Sequence, residues 1–455
     1  MKTRWWLFAM CIPASAALAA PKTDRKSFEA ELDQVFADEG LTASAAASRA
    51  SKAAPIIARK AASKEAASAD VSRAKLSLLP VIAGKATYTR LSPLDDVMIP
   101  LGPMTFVIPF FENSYAATAQ IQVNISDYFV RDPALIGGAG HALDAATHDM
   151  AATAAAIGQQ AREIYYEWLR AKLQIIVAKR QLAQVETTRT QIKALVDVQR
   201  ASTADLARIE SQQAQARQLV DRFDSAMIVR EEQLRLLIGA GADEELAVGE
   251  DVREDLEVSE VEDLDELSEK ALAKRNELKA INTGIKAKES QRRSEASTLV
   301  PKISAFASVD YAKPNPRVFP SENEFRMTWA AGVQASWVIN ESLAANQTRN
   351  RHDAEAAELR ADKKGLQHQV RLEVLRAIQG VRLAKRNIGT TQQGVDAAEE
   401  SYRVRKDLFG AGRASVVEMV DAETELSRSR IASLDARIDL RIALARLAYA
   451  TGEKS

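Results

Sequence analysis

Four histidines and a scatter of carboxylates are the residues of this chain with the means to do chemistry. His141, Asp144 and His148 could share one face of a helix, a thin metal-ligand pattern with no cysteine or recognised motif behind it. His352 and His368 also fall in helical stretches, and solvated helix residues account for all four histidines. The pattern therefore points to no catalytic residue, no metal and no cofactor. The more telling pair is Glu418 and Asp421, spaced i, i+3 and so on the same helix face. Carboxylates crowded together repel one another and attract cations. Glu418 has a second reading, because Ser415-Val-Val-Glu418 is a capping box in which serine caps a helix and the acid reaches back.

These residues sit in Gly410–Ala422, GAGRASVVEMVDA, a helix turnaround that recurs in degraded form half a chain earlier. Setting Arg413-Ala414-Ser415 over Arg200-Ala201-Ser202 places Glu418 over Asp205, Glu423 over Glu210, Leu447 over Leu234 and Gly452 over Gly239 without a gap. The chain is an internal duplication, with one turn and two helical arms per copy. The copies are not equivalent, since Arg208 stands where Asp421 would be. Arg208 could tether a carboxylate such as Asp421, or it could be a solvated arginine. Gly410, Gly412, Ala414 and Ser415, with Ala201 and Ser202, put small side chains at both turns, and glycines also end helices.

The 455 residues are 5% aromatic and 27% charged, a composition of long helices rather than of a thick globular interior. Residues 1–19 carry Lys2, Arg4, an apolar run and Ala17-Leu18-Ala19, and read as a secretory signal peptide. The only cysteine, Cys11, lies within it, so the exported chain is expected to have no thiol chemistry. Without Lys2 and Arg4 the net charge is about −3, which gives no reason to expect nucleic acid. No later stretch approaches the ~20 apolar residues of a spanning helix. Alternating runs are present instead. Tyr115, Ala117, Ala119, Ile121, Val123 and Ile125 oppose a wet face, and two later runs behave alike. Strands are expected over 79–91, 115–127, 300–311 and 327–339. By alternation alone they fit either soluble hairpins with one buried face or strands of bilayer-crossing length.

Two long helices are expected, one from Asp132-Pro133 to about Val198 and one from Glu341 to about Phe409. Each returns through a helix half as long, and two shorter helices make up the difference, as in a rod of paired helices. The division is a first repeat over 20–239 with its tip near 199–203, an acidic connector over 240–267 read as solvated, and a second repeat over 268–455 with its tip near 410–415. The apolar run Val97–Phe111 reads as a loop, either a lid or a packing surface.

A duplicated chain with strand pairs entered through Leu79-Pro80 and Val300-Pro301 resembles the outer membrane factor family, whose best-known member is TolC. Ala271–Ala280 is similar to the family's "ALxxRPEL" stretch, with Asn276 where proline is usual, and Gly412–Ala422 is similar to its second turnaround. The resemblance implies a mainly α fold, with long helical hairpins forming a trimeric α-barrel topped by a β-barrel of four strands per subunit. It implies a homotrimer in outer-membrane lipid with most of the chain in the periplasm, a passive exit duct for efflux or type I secretion. Its partners would be a periplasmic adaptor and an inner-membrane transporter, docking at the small-residue tips. Asp421, Glu418, Arg208 and Asp205 would then lie at the periplasmic gate. The competing class is a soluble periplasmic coiled-coil scaffold or adaptor, for which the long helices alone suffice.

Overall fold

The computed structural model describes residues 22–254, 256 and 263–453; the signal peptide expected over 1–19 and part of the connector lie outside them. The first half runs α1 (Lys22–Asp33), β1 (Phe36–Leu41), α2 (Ala43–Ala53), α3 (Pro55–Leu76), β2 (Val81–Arg90), β3 (Val97–Leu101), β4 (Met104–Ile108), β5 (Asn113–Val123), α4 (Arg131–Asp197) and α5 (Thr203–Ile238). The second half runs α6 (Leu264–Lys274), α7 (Asn276–Glu295), β6 (Lys302–Lys313), β7 (Arg326–Ser336), α8 (Ile339–Gly410) and α9 (Val416–Ala450). The fold is mostly helical, and no described helix is long and apolar enough to cross a membrane. The chain divides into two compact units, one of residues 55–153 and 272–371, the other of residues 1–54, 154–271 and 372–455.

The first of these holds every strand but β1. β2, β5, β6 and β7 form one antiparallel sheet in that order, so that β2 and β7 each leave one edge unpaired. The register carries the alternation across all four strands: Gly84 faces Ala119, Ala119 faces Val309, and Val309 faces Trp329. Because side chains alternate with a period of two, this alignment gathers the apolar residues onto one face. That face is uncovered, with Ile82 78% and Trp329 74% exposed. Near the loop ends of the strands Tyr88 and Tyr115 lie 5.0 Å apart, and Phe325 stacks on Tyr311 at 5.0 Å. At the helix end Trp337 Nε1 donates to Ser342 Oγ at 2.9 Å.

Two local features differ from the sequence reading. Residues 125–127, expected within a strand, belong to a 3-10 turn over Ile125–Tyr128, and β5 ends at Val123. Val97–Phe111, read as a loop, contains the β3–β4 hairpin, turned at Gly102, whose φ of 62° suits a residue without Cβ. Phe106 of this hairpin meets Phe319 of the β6–β7 loop at 6.0 Å.

The helical unit has a continuous core. Tyr165, Trp168, Leu169 and Leu173 of α4 meet Leu234 and Ile238 of α5, Ala46 and Ala50 of α2, and Leu434, Ile438 and Ile442 of α9. Before the sheet, helix α1 gives way to β1, and α2 and α3 are separated by a break at Ala54, held extended by the proline that follows it. The connector also differs from the solvated strand of charge expected of it. Leu246, Val248 and Val252 are buried in the core, and Leu41 exchanges hydrogen bonds with Ala247 and Gly249 at 2.8 and 2.9 Å. Gly40 and Gly249 allow this crossing, since a Cβ on Gly40 would come within 2.3 Å of the Val248 backbone. Glu250 is clasped from two sides, accepting from Tyr166 Oη and from Arg441 Nη1, each at 2.9 Å. Asp243, Glu244 and Glu245 stay exposed while Leu246 and Val248 just after them turn inward.

Candidate functional site: the paired turnarounds

The two turns have the same hydrogen-bond skeleton. In the first, Gln199 N donates to Val196 O and Arg200 N to Leu195 O; in the second, Gly412 N donates to Phe409 O and Arg413 N to Leu408 O. The backbone enters the left-handed region at the matching positions, Gln199 with φ 59° and Gly412 with φ 71°. Helix α5 is capped by Ser202, whose Oγ accepts from Asp205 N at 3.1 Å, while Asp205 Oδ2 accepts from Ser202 N at 3.0 Å. Helix α9 is capped in the same manner by Ser415 and Glu418, at 3.3 and 2.9 Å. Reciprocal caps of this kind satisfy donors left open at a helix start. The turns lie side by side: a Cβ built on Gly412 would sit 3.8 Å from Arg200 Nη2. Ala201 and Ala414 precede the caps, and Gly410 closes α8 with open space beside its Cα.

Charge is arranged around these caps. The Ser202 hydroxyl, the Ser202 backbone N–H and Arg208 hold the Asp205 carboxyl below its usual range. The Ser415 backbone N–H and hydroxyl do the same for Glu418, aided by Arg405, whose Nη1 pairs with Glu418 Oε1. Glu418 is thus both cap and ion-pair partner. Arg208 Nη2 donates to Asp421 Oδ1 at 3.4 Å, joining α5 to α9 on the exposed surface. Beside it Gln212 Nε2 donates to Thr424 Oγ1 at 2.8 Å. The structure therefore brings Arg208 and Asp421 together and gives Asp205 and Glu418 to the caps.

Two participants escaped the sequence reading. Arg405, near the end of α8, reaches across the turn to Glu418 of α9, a contact that no local pattern marks. Glu423, noted only as the repeat mate of Glu210, is fully buried and accepts from Thr188 Oγ1 of α4 at 2.8 Å. Beneath the surface, Val185, Ile192 and Ile209 pack with Val416 and Val420, while Tyr402 packs with Met419 and Leu426. His141, Asp144 and His148 belong to no cluster: among the described residues, no three histidine, cysteine or acidic side chains are placed to hold a metal ion.

Residues 267–453 match the family described as outer membrane efflux protein. The resemblance to the outer membrane factor family thus rests on a sequence match over the second repeat, and over the whole chain on a fold shared with outer membrane channels of known structure. No curated protein matches the chain in sequence. Among solved structures, CusC matches at a TM-score of 0.77 and 14% identity, over 92% of this chain and 94% of CusC. The outer membrane channel CmeC of Campylobacter jejuni matches at 0.74 and 12%, over 98% and 94%. The outer membrane protein VceC of Vibrio cholerae matches at 0.73 and 16%, over 96% and 99%.

Proposed function

We propose that this chain is the outer-membrane exit duct of a tripartite efflux or type I secretion system, passing cargo outward without transforming it. Three copies close one barrel of twelve strands in the outer membrane, and their long helices form the periplasmic conduit. A periplasmic adaptor docks on the small residues of the turns, Ala201, Ser202, Gly410, Gly412, Ala414 and Ser415, and links them to an inner-membrane transporter. Asp421, Glu418, Arg208 and Asp205 lie at the periplasmic gate, with the Arg208–Asp421 pair as its tether.

The observation that carries this reading is the sheet of β2, β5, β6 and β7. It has one apolar face with nothing over it and two unpaired edges. In lipid an apolar outer face is favourable, but unpaired strand edges are not, so the sheet must close. Four strands are too few to close a barrel alone, whereas symmetric copies pairing edge to edge leave none open. The match of the second repeat to the efflux-protein family supports the same conclusion.

The test is fractionation of cells expressing the chain, followed by electrophoresis with and without boiling. The duct predicts an outer-membrane protein that migrates as a trimer until heated. A monomer recovered from the soluble periplasm would contradict it and favour a coiled-coil scaffold.

A further inference from the structure

Glu423 lies on α9 two residues beyond Asp421 and is 1% exposed. Its Oε1 accepts the single hydrogen bond from Thr188 of α4, and its Oε2 is buried with no hydrogen-bond partner. The repeat mate Glu210 is in the opposite condition, on the surface of α5 and paired with Arg189 at 2.9 Å. A charge held out of water with one oxygen unmatched costs far more than the neutral acid in the same place. Burial raises the Glu423 pKa to about 7, against the lowering effects of the Thr188 hydrogen bond and the charge of Lys406. Lys406 approaches from α8 and Thr188 from α4, while Arg189 and Glu210, next along α4 and α5, are engaged with each other.

We propose that Glu423 is a proton-operated latch of the second turnaround: neutral, it lets α4 and α9 close on each other beside the Arg208–Asp421 pair, and ionised, it forces that contact apart. When the contact loosens, water reaches the carboxyl and its affinity for the proton falls toward the ordinary value of 4.5. The closed contact therefore holds its proton more tightly than the loosened one. It is favoured fully below the ordinary carboxylate pKa and loses that advantage as pH rises to about 7, above which the balance no longer changes with pH. Over that window the closed-to-loosened ratio changes by up to about tenfold per pH unit. Acid shuts the latch, and neutral or alkaline medium loosens it. The consequence for conduction rests on the gate reading above; the latch itself is a property of the helix contact.

The experiment is amide hydrogen exchange on the full-length protein at about pH 5 and about pH 8, corrected for the pH dependence of the intrinsic rate. It follows peptides spanning 185–192 and 416–430 in the wild type, Glu423→Gln and Thr188→Val. Wild-type protection is expected to fall by about tenfold or more at the higher pH, and Glu423→Gln to keep the low-pH protection at both. Thr188→Val, which removes the donor that supports the ionised form, is expected to move the midpoint to higher pH. Equal wild-type protection at the two pH values, an unchanged fall in Glu423→Gln, or an unmoved midpoint in Thr188→Val would each overturn the latch. Single-channel conductance over the same range separates the two readings. A pH response that Glu423→Gln abolishes joins latch to gate, while a latch seen in exchange with a pH-independent pore removes the gate role and leaves the latch standing.

Discussion

The two turnarounds share a backbone and differ in what they hold. Serine caps, reciprocal acids and the left-handed residue recur at matched positions, but the side chains around them have diverged. Ile192 is fully buried in the first copy, and its repeat mate Arg405 reaches out to Glu418 in the second. Arg208 opposes Asp421 across the pair, and exposed Glu210 corresponds to buried Glu423. Duplication thus conserved what closes a helical turn, which is local, and varied what faces the neighbouring hairpin. Both turnarounds share apolar packing and carry an exposed ion pair, Arg189–Glu210 in the first and Arg405–Glu418 in the second, but of the repeat mates Glu210 and Glu423 only the second is a buried carboxylate.

Substitutions can break or sharpen this contrast. The largest effect is expected in the first copy, where Ile209→Ala should cost about 2 to 5 kcal/mol, the range of core truncations, in a denaturant titration. A cost near that of a surface substitution would mean that the first tip is not held by its core. Exchanging the left-handed residues comes next: Gly412→Gln should lose about 1 kcal/mol, whereas Gln199→Gly should be neutral or slightly stabilising. Ser202→Ala and Ser415→Ala should each lose about 1 kcal/mol, and equal losses would support equivalent caps. Acid should erode both caps, because the depressed carboxyls of Asp205 and Glu418 contribute stability above their unfolded values that is lost as pH falls through the folded ones. The smallest stability effect is expected for Arg208→Ala, about 0 to 1 kcal/mol, since exposed pairs are screened by solvent. Its mark should appear in conductance rather than in melting.

What the sequence made legible follows the range of the interactions. The capping boxes, the alternation of Tyr115 to Val123 and the helix start at Val416 depend on neighbours within a few residues, and local patterns reveal them. The β3–β4 hairpin was obscured because Pro100 and Gly102 signal a turn without showing that the flanking residues pair. The connector was misread because its acids outnumber its apolar residues, and only the core of α4 and α9 shows that Val248 turns inward. Glu423 was hardest to see. Its burial depends on Thr188, 235 residues away, and an isolated acid at that spacing looks like surface.

The most direct measurement is single-channel conductance of the purified protein in a planar bilayer, comparing wild type with Asp421→Ala. The account predicts a low-conductance, cation-preferring wild-type pore, with higher conductance and weaker divalent-cation block once Asp421 is removed and Arg208 is left without it. A correctly exported trimer that forms no pore in either version would contradict the duct.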